Sequence, residues 1–139
     1  MASRHELQKL ACLRLNEAEA LFDAGWYDGC AYLCGYVVEL ALKAAICSTL
    51  GIEQYPEKGS RLREALKTHD FDDLKLLAGM ELAFTLNGTR FANWSAASKW
   101  KPERRYDAQG TYDQAAAKEI LDAVRSYPDG VLACISQRW

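Results

Sequence analysis

The stretch Gly25–Ile52, GWYDGCAYLCGYVVELALKAAICSTLGI, decides the fold of this chain. Between Asp28 and Glu53 it carries only two charged residues, Glu39 and Lys43, which stand four positions apart with the acid first. That order favours an ion pair along a helix. Apolar residues recur around the pair at three- and four-residue steps, which predicts a central helix buried on most sides. Because the two charges interrupt the apolar run, it falls short of the ~18 or more apolar residues of a membrane span.

The segment before this stretch predicts a partner helix. Residues Arg4–Ala24 place apolar side chains on one stripe and charged side chains on the other. Gly25 is a suitable stop for that helix, and Asp28 is a candidate N-cap for the central helix. The connection is so short that the two helices are expected to form an antiparallel hairpin. Gly51 is predicted to end the central helix.

After the central helix, the pattern predicts two more helical segments. Ser60 is a candidate cap for a short helix over Arg61–Thr68. Asp70 is a candidate cap for a further helix that continues to about Leu86 and ends at Asn87-Gly88.

The last third of the chain begins with an irregular region. Thr89–Gly110 is predicted to be a long, partly ordered loop, and loops of this length are often functional. Thr111 and Gln114 have the spacing of a capping box, which predicts the start of another helix. Pro128-Asp129-Gly130 is expected to break that helix before a final amphipathic piece ending at Trp139. The inward-facing positions of the capped helix are predicted to be Ala115, Ala116, Ile120, Val124 and Tyr127. Since no alternating strand pattern occurs, the chain is predicted to be all-α, a bundle of four or five helices.

Composition limits the classes of function. A chain of 139 residues with a net charge of -2 is expected to form a single domain, residues 1–139, with no overall attraction to nucleic acid. Its five cysteines are odd in number and contain no CxxC pair, which is typical of a reducing, cytoplasmic setting. The first ten residues, MASRHELQKL, do not resemble a signal peptide. Two histidines and no Cys/His cluster predict no metal site and no cofactor.

Three stretches resemble the HEPN domains, small helical proteins of prokaryotes. The stretch of residues 17–46, EAEALFDAGWYDGCAYLCGYVVELALKAAI, is similar to the family's first helical hairpin. The stretch 68–78, THDFDDLKLLA, resembles the His-Asp joint that leads into a Leu-rich helix. The stretch 103–124, ERRYDAQGTYDQAAAKEILDAV, resembles the Arg-Tyr-Asp loop before the last helix of the family. The resemblance implies an up-and-down helical bundle of HEPN type.

The resemblance also implies two functional alternatives. Many HEPN domains are metal-independent ribonucleases of toxin–antitoxin or anti-phage systems, with an Arg-x4-6-His motif near the last helix that is duplicated across a dimer. Others lack the motif and accompany a minimal nucleotidyltransferase. This chain has Arg104 and Arg105 before its last long helix but no later histidine. An Arg-x5-His spacing occurs earlier, from Arg63 to His69.

Catalysis of RNA cleavage needs a histidine to move the proton of the 2′-hydroxyl and an arginine to hold the phosphate. The catalytic candidates are therefore His69 with Arg63 or Arg105, while His5 is a weaker candidate near the terminus. The alternative interpretation of His69 is structural, as a cap or a hydrogen-bonded joint with Asp70.

Two further sets of residues are candidates for binding. The set predicted to contact RNA or a partner is Trp100, Lys101, Arg104, Arg105, Tyr106 and Asp107. Its cations suit phosphate and its aromatic rings suit bases, although Trp94 and Trp100 are equally suited to cover the ends of the core. The predicted interface seam on the central helix is Tyr32, Tyr36, Glu39 and Lys43. The alternative for that seam is a partly buried ion pair that the tyrosine hydroxyls satisfy by hydrogen bonds, since a lone buried charge is costly.

The sequence thus predicts a HEPN-type RNA-associated protein of a toxin–antitoxin or defence setting, with ribonuclease activity as one form of that function. The other form is a non-catalytic interaction module. The partners expected are a second copy of the chain or a similar helical protein, RNA, and a nucleotidyltransferase, with no membrane.

Overall fold

The structure, a computed structural model, describes residues 2–56 and 60–139, and within this part the side chains of Ala65, Arg104 and Arg105 are not described. The described residues contain no β-strand, so the all-α prediction is confirmed. They form seven α-helices: α1 (Arg4–Asp23), α2 (Tyr27–Leu50), α3 (Arg61–Leu66), α4 (Phe71–Leu77), α5 (Gly88–Ala97), α6 (Gln114–Arg125) and α7 (Val131–Ser136). Two short 3-10 helices cover Ala83–Thr85 and Pro102–Tyr106.

The first two helices pack along each other, and their ends follow the predicted signals. Ser3 and Glu6 form a capping box at the start of α1. Gly25 adopts a φ of 83° in the turn between the helices, and Gly51 adopts a φ of 67° where α2 ends. A residue with a Cβ would be strained at either position, so glycine is favoured in the turn after α1 and at the end of α2.

Helix α2 is the centre of the domain and contacts α1, α4, α5, α6 and α7. Val37 and Val38 are fully buried, as the apolar periodicity predicted. Contrary to the expectation from its two charges, α2 is long and apolar enough to cross a membrane by length and composition alone, but 72% of its most apolar stretch is buried inside the domain. A core helix of a soluble protein has the same character.

Asp28 does not cap α2, contrary to the prediction. The residue before the helix is Trp26, and Asp28 lies inside the first turn. Its carboxylate accepts hydrogen bonds from the backbone N–H groups of Gly110 at 2.7 Å and Tyr112 at 2.8 Å. These two donors from a distant segment occupy the carboxylate that would otherwise cap the helix. Asp28 therefore fixes the loop before α6 against the start of α2.

The region predicted as a loop over Thr89–Gly110 begins with a helix, so that prediction was wrong in its first half. Asn87 starts α5, because its side chain accepts a hydrogen bond from the Arg90 backbone N–H at 2.8 Å. Trp94 then stacks on Phe84 with ring centroids 4.5 Å apart. The preceding helix ends at Leu77 instead of Leu86.

The start of α6 also differs from the prediction. Asp113, and not Thr111, is the N-cap, with its side chain accepting from the Ala116 backbone N–H. Val124 is buried as expected, but Ala115 and Tyr127 are exposed because the buried stripe is rotated along the helix. The buried residues of α6 are Ala117, Leu121, Ala123 and Val124. The predicted break at residues 128–130 separates α6 from α7.

Candidate functional site around Glu39 and His69

Glu39 is a carboxylate in the middle of the most buried helix. It is 3% exposed and is the only buried charged residue in the part of the chain that the structure describes. The Lys43 ammonium donates a hydrogen bond to Glu39 Oε1 at 2.9 Å. The ion pair predicted from the four-residue spacing is therefore present, and it lies within one chain.

His69 is the second partner of the same carboxylate oxygen. It lies between α3 and α4, and its Nδ1 is 2.5 Å from Glu39 Oε1. The imidazole side chain is 59% exposed, so a buried carboxylate holds a ring that solvent and ligands can reach. A carboxylate at Nδ1 favours the tautomer with its proton on that nitrogen, which leaves Nε2 as a proton acceptor.

The structural interpretation of His69 as a cap does not describe this contact. Asp70 is the cap of α4, since its carboxylate accepts from the backbone N–H groups of Asp72 at 2.9 Å and Asp73 at 3.1 Å. The Asp70 backbone N–H donates to the Thr68 hydroxyl at 3.0 Å. The N-terminus of α4 is therefore capped without the imidazole of His69.

Tyr55 brings Arg63 into the same neighbourhood. The Lys43 ammonium and the Arg63 guanidinium each lie 5.4 Å from the centre of the Tyr55 ring. Burial raises the pKa of Tyr55 to about 12, and its hydroxyl donates to the Leu66 backbone carbonyl at 3.0 Å. Because α3 ends at Leu66, Arg63 and His69 do not lie on one continuous helix. His69 contacts Glu39 directly, whereas Arg63 is connected to this region through the Tyr55 ring.

A cavity of about 550 Å³ opens beside His69. Its walls come from the segment before and at the start of α4 and from the segment after α5. The lining residues are Lys67, Thr68, His69, Asp70, Phe71, Asp72, Ser98, Trp100, Lys101, Pro102 and Glu103. Its lining includes both cationic and anionic side chains, so the cavity is polar and of mixed charge.

Trp100 forms the inner wall of this region and is 6% exposed. Its indole lies directly over Gly35 of α2, stacks on Phe71 at 5.5 Å with an interplanar angle of 10°, and meets the edge of Tyr36 at 4.9 Å. Trp94 is equally buried. Of the two interpretations of these tryptophans, the structure supports the one in which they cover the core.

The rest of the predicted binding set lies on the surface. Lys101, Tyr106 and Asp107 are exposed, with 76% of Tyr106 accessible. The side chains of Arg104 and Arg105 lie outside the described part of the structure. Their contribution to binding or catalysis stays a prediction.

A family model described as HEPN domain matches residues 6–126, which is most of the chain. This protein belongs to the HEPN family. Membership supports a general role as a ribonuclease-like or defence-associated module. Searches of curated proteins and of solved structures gave no match.

The predicted interface seam of this HEPN chain is largely occupied by internal contacts. The hydroxyl groups of Tyr32 and Tyr36 are 3.1 Å apart, and their rings meet edge to face. Glu39 and Lys43 pair with each other one turn further on. The Glu39–Lys43 ion pair of the alternative interpretation is present, whereas satisfaction of the pair by the tyrosine hydroxyls and a role of the seam between chains both stay predictions.

Two contacts that position the candidate site and its surroundings could not be predicted from the sequence. The Glu39–His69 contact joins positions thirty residues apart, so no helical spacing indicates it. The only available signal was that an acid on a buried helix face requires more hydrogen-bonding partners than one lysine provides. The tether from Asp28 to the loop before α6 has no sequence signal beyond the acid itself. Among the described residues no group of three or more His, Cys, Asp or Glu could hold a metal ion.

Proposed function

We propose that this HEPN protein is an RNA-associated module of a toxin–antitoxin or anti-phage defence setting, and that it cleaves RNA through His69 without a metal ion. The defence setting rests on family membership. The reaction rests on one observation, the 2.5 Å contact that holds an exposed imidazole on the buried Glu39 carboxylate.

The arrangement suits general base catalysis. With Nδ1 held by Glu39, Nε2 of His69 accepts the proton of an RNA 2′-hydroxyl, and the carboxylate stabilises the imidazolium that forms. The 2′-oxygen then forms a bond to the adjacent phosphorus while the bond from phosphorus to the 5′-oxygen breaks. The departing 5′-oxygen takes up a proton from solvent. The products are a 2′,3′-cyclic phosphate and a 5′-hydroxyl end.

Arg63 is the proposed phosphate ligand. Arg63 is partly exposed, and its guanidinium lies 5.4 Å from the centre of the Tyr55 ring, which Lys43 also contacts. A guanidinium gives a planar, bidentate contact to phosphate oxygens. Lys43 is already paired with Glu39, which leaves Arg63 as the cation of this cluster that is available to substrate. Arg105 remains the alternative phosphate ligand.

The test is cleavage of single-stranded oligoribonucleotides that contain every dinucleotide step, in the presence of EDTA. His69→Ala and Glu39→Gln are expected to lower the rate by about 10²–10⁴-fold, the usual contribution of a positioned acid–base group. The matched controls are His5→Ala, which removes the other histidine, and Arg61→Ala, which removes an exposed arginine from the same helix as Arg63. Both controls should cleave like the wild type. Mass spectrometry should find 2′,3′-cyclic phosphate ends.

Equal cleavage by the wild type and His69→Ala would overturn this mechanism, because the activity would then come from another site or a contaminant. A wild type that cleaves no RNA would favour the second proposal. In that case the Glu39–His69 contact would be structural.

The second proposal is a non-catalytic interaction module that pairs with a second copy, with a similar helical chain or with a nucleotidyltransferase. It is favoured by three large apolar side chains near the start of α5, Leu82, Leu86 and Phe91, which are 76%, 70% and 56% exposed. Exposed apolar groups in one short stretch are typical of interaction surfaces. Sedimentation at micromolar concentration should show a species of twice the 15.6 kDa chain mass. Leu86→Glu should dissociate it, whereas Leu13→Glu on the exposed face of α1 should not. A monomer at all concentrations that also fails to capture a nucleotidyltransferase would contradict this proposal.

A further inference from the structure

Two buried polar atoms stand out beside the proposed site. Oε2 of Glu39 and the indole Nε1 of Trp100 are both inaccessible to solvent, and neither has a hydrogen-bond partner among the described residues. The first is an acceptor that carries part of a negative charge, and the second can only donate. Buried polar groups without a partner are rare and costly, and the cost is greatest for charged groups.

The fold brings the two atoms to the same face of α2. The Trp100 indole covers Gly35, with three of its ring atoms 2.0–2.1 Å from the position that a Cβ would take there. Glu39 follows Gly35 by one helical turn, and residues four apart on a helix are neighbours on one face. His69 and Trp100 also line the same cavity, and His69 already contacts the other oxygen of Glu39.

We propose that the indole N–H of Trp100 is the second hydrogen-bond partner of the Glu39 carboxylate, which makes Trp100 a positioning residue for His69. Both atoms are buried and lack a partner, and either a direct bond or a bridge through one buried water, which accepts from the indole and donates to the carboxylate, satisfies both. This inference deepens the proposed ribonuclease function and rests on it for its catalytic consequence.

The proposed bond has a direct consequence for the imidazole. A carboxylate held at one oxygen by Lys43 and His69 alone can rotate about its last side-chain bond. A donor at Oε2 fixes the carboxylate plane and so fixes the direction in which Oε1 meets Nδ1 of His69. Carboxylates that orient a catalytic or ligating histidine commonly require such further hydrogen bonds.

Heteronuclear NMR of the indole N–H groups tests the bond without RNA. The chain has four tryptophans, and two of them serve as internal references. Trp26 is 64% exposed, and the Trp139 indole donates to the Ala41 carbonyl of the same helix α2 at 3.2 Å. In the wild type, the Trp100 indole proton should exchange with solvent far more slowly than that of Trp26.

In Glu39→Gln, exchange of the Trp100 indole proton should accelerate about 10- to 100-fold, the range expected when a hydrogen bond to a charged group is weakened to a neutral one. The Trp139 signal should stay unchanged, which shows that α2 is intact. A Trp100 signal that does not respond to Glu39→Gln, while Trp139 remains native, overturns the proposal. Wild-type exchange as fast as that of Trp26 overturns it as well.

A second measurement follows the effect on His69. Trp100→Phe keeps a ring over Gly35 but removes the N–H, while Trp94→Phe is the matched control because Trp94 is an equally buried indole of the same region. The imidazole ¹⁵N shifts of His69 should report loss of the single Nδ1–H tautomer in Trp100→Phe and its retention in Trp94→Phe. An unchanged tautomer in Trp100→Phe overturns the positioning role. If the wild type proves to cleave no RNA, both NMR measurements still decide this inference, so the two failures are distinguishable.

Discussion

Gly35→Ala is expected to destabilise the domain although alanine is the better helix former. An ideal Cβ at position 35 would lie 2.0 Å from ring atoms of Trp100. Ordinary contacts between carbon atoms are about 3.5–4.0 Å, so the indole would have to retreat by about 1.5–2 Å. Phe71 stacks on Trp100, and Tyr36 meets its edge, so the ring has little room to do so.

The magnitude follows from what the indole loses. A buried tryptophan removes roughly 150–250 Å² from water, which at ~25 cal/mol per Å² is about 4–6 kcal/mol if the ring leaves its place entirely. Replacing glycine by alanine inside a helix returns about 1 kcal/mol. Partial repacking retains some of the contact, as overpacked cores usually cost about 1–3 kcal/mol. With the helix gain of ~1 kcal/mol subtracted, partial repacking costs about 0–2 kcal/mol and full displacement about 3–5 kcal/mol. Because Phe71 and Tyr36 confine the ring, we expect the net loss in the free energy of unfolding to lie between these, at about 2–3 kcal/mol.

Urea unfolding of four chains measures this interaction as a double-mutant cycle. In a Trp100→Ala background, Gly35→Ala should be neutral or should stabilise by up to about 1 kcal/mol, because the clashing ring is gone. Gly88→Ala is the matched single control, since a Cβ there meets no atom within 4 Å. If Gly35→Ala costs the same in both backgrounds, or costs nothing in the wild type, the close approach of Trp100 to α2 is refuted.

Three further predictions concern the same core. Val38→Asp should lower the free energy of unfolding by about 4 kcal/mol or more, because it buries an unpaired charge in the centre of α2; a loss under ~1 kcal/mol in urea unfolding would contradict the buried position. Burial raises the pKa of Tyr55 to about 12, so the unfolded chain loses the phenol proton first, near pH 10, and the free energy of unfolding should fall between about pH 10 and 12. Tyr55→Phe should reduce that fall. An identical dependence on pH in the wild type and Tyr55→Phe would refute the burial of this hydroxyl. Glu39→Met should lower the free energy of unfolding by about 3–5 kcal/mol because it leaves Lys43 unpaired. The double variant Glu39→Met/Lys43→Met should be as stable as the wild type or more stable in thermal unfolding. Equal losses in the single and the double variant would show that the two residues are not coupled.

The helical hairpin of α1 and α2 could be predicted from the sequence because apolar periodicity and glycine positions determine it locally. The apolar run of α2 leaves no other place for that helix than the core, and glycine with positive φ ends the hairpin helices at Gly25 and Gly51. Helix α5 could not be predicted in this way. Its sequence mixes aromatic, polar and small residues, and its position depends on a tertiary contact, the stacking of Trp94 on Phe84. The predicted ends of α4 and α6 failed for a related reason, since several residues near each end were able to cap and only packing decides among them.

The contacts of the candidate site likewise differ in whether local spacing or tertiary packing determines them. The Glu39–Lys43 pair is four residues apart on one helix, so spacing alone predicts it. The contact of His69 with Glu39 depends on where α3 ends and how the chain turns toward α4, which a spacing of thirty residues does not encode. The Arg63–His69 spacing likewise does not show whether the two residues share one helix. The end of α3 at Leu66 shows that they do not.

The energetics of Glu39 argue that the cluster serves more than stability. A buried ion pair is often no more stabilising than apolar residues of similar size, so a core built for stability alone would have a methionine or leucine at this position. Lys43 alone already balances the charge of the buried carboxylate, although it does not satisfy all of its hydrogen-bonding capacity. His69 contacts the same oxygen of Glu39, and 59% of its side chain is exposed. Because the exposed part of the imidazole stays hydrated, this contact contributes little to the stability of the core. What it does create is a solvent-facing imidazole, with Nδ1 held by a carboxylate, beside a cavity, which is an arrangement suited to proton transfer. Sites of this kind commonly sacrifice stability for activity. If His69 has only a structural role, His69→Ala should lower the free energy of unfolding. If it has a functional role, His69→Ala should leave the free energy of unfolding nearly unchanged and lower the rate of RNA cleavage.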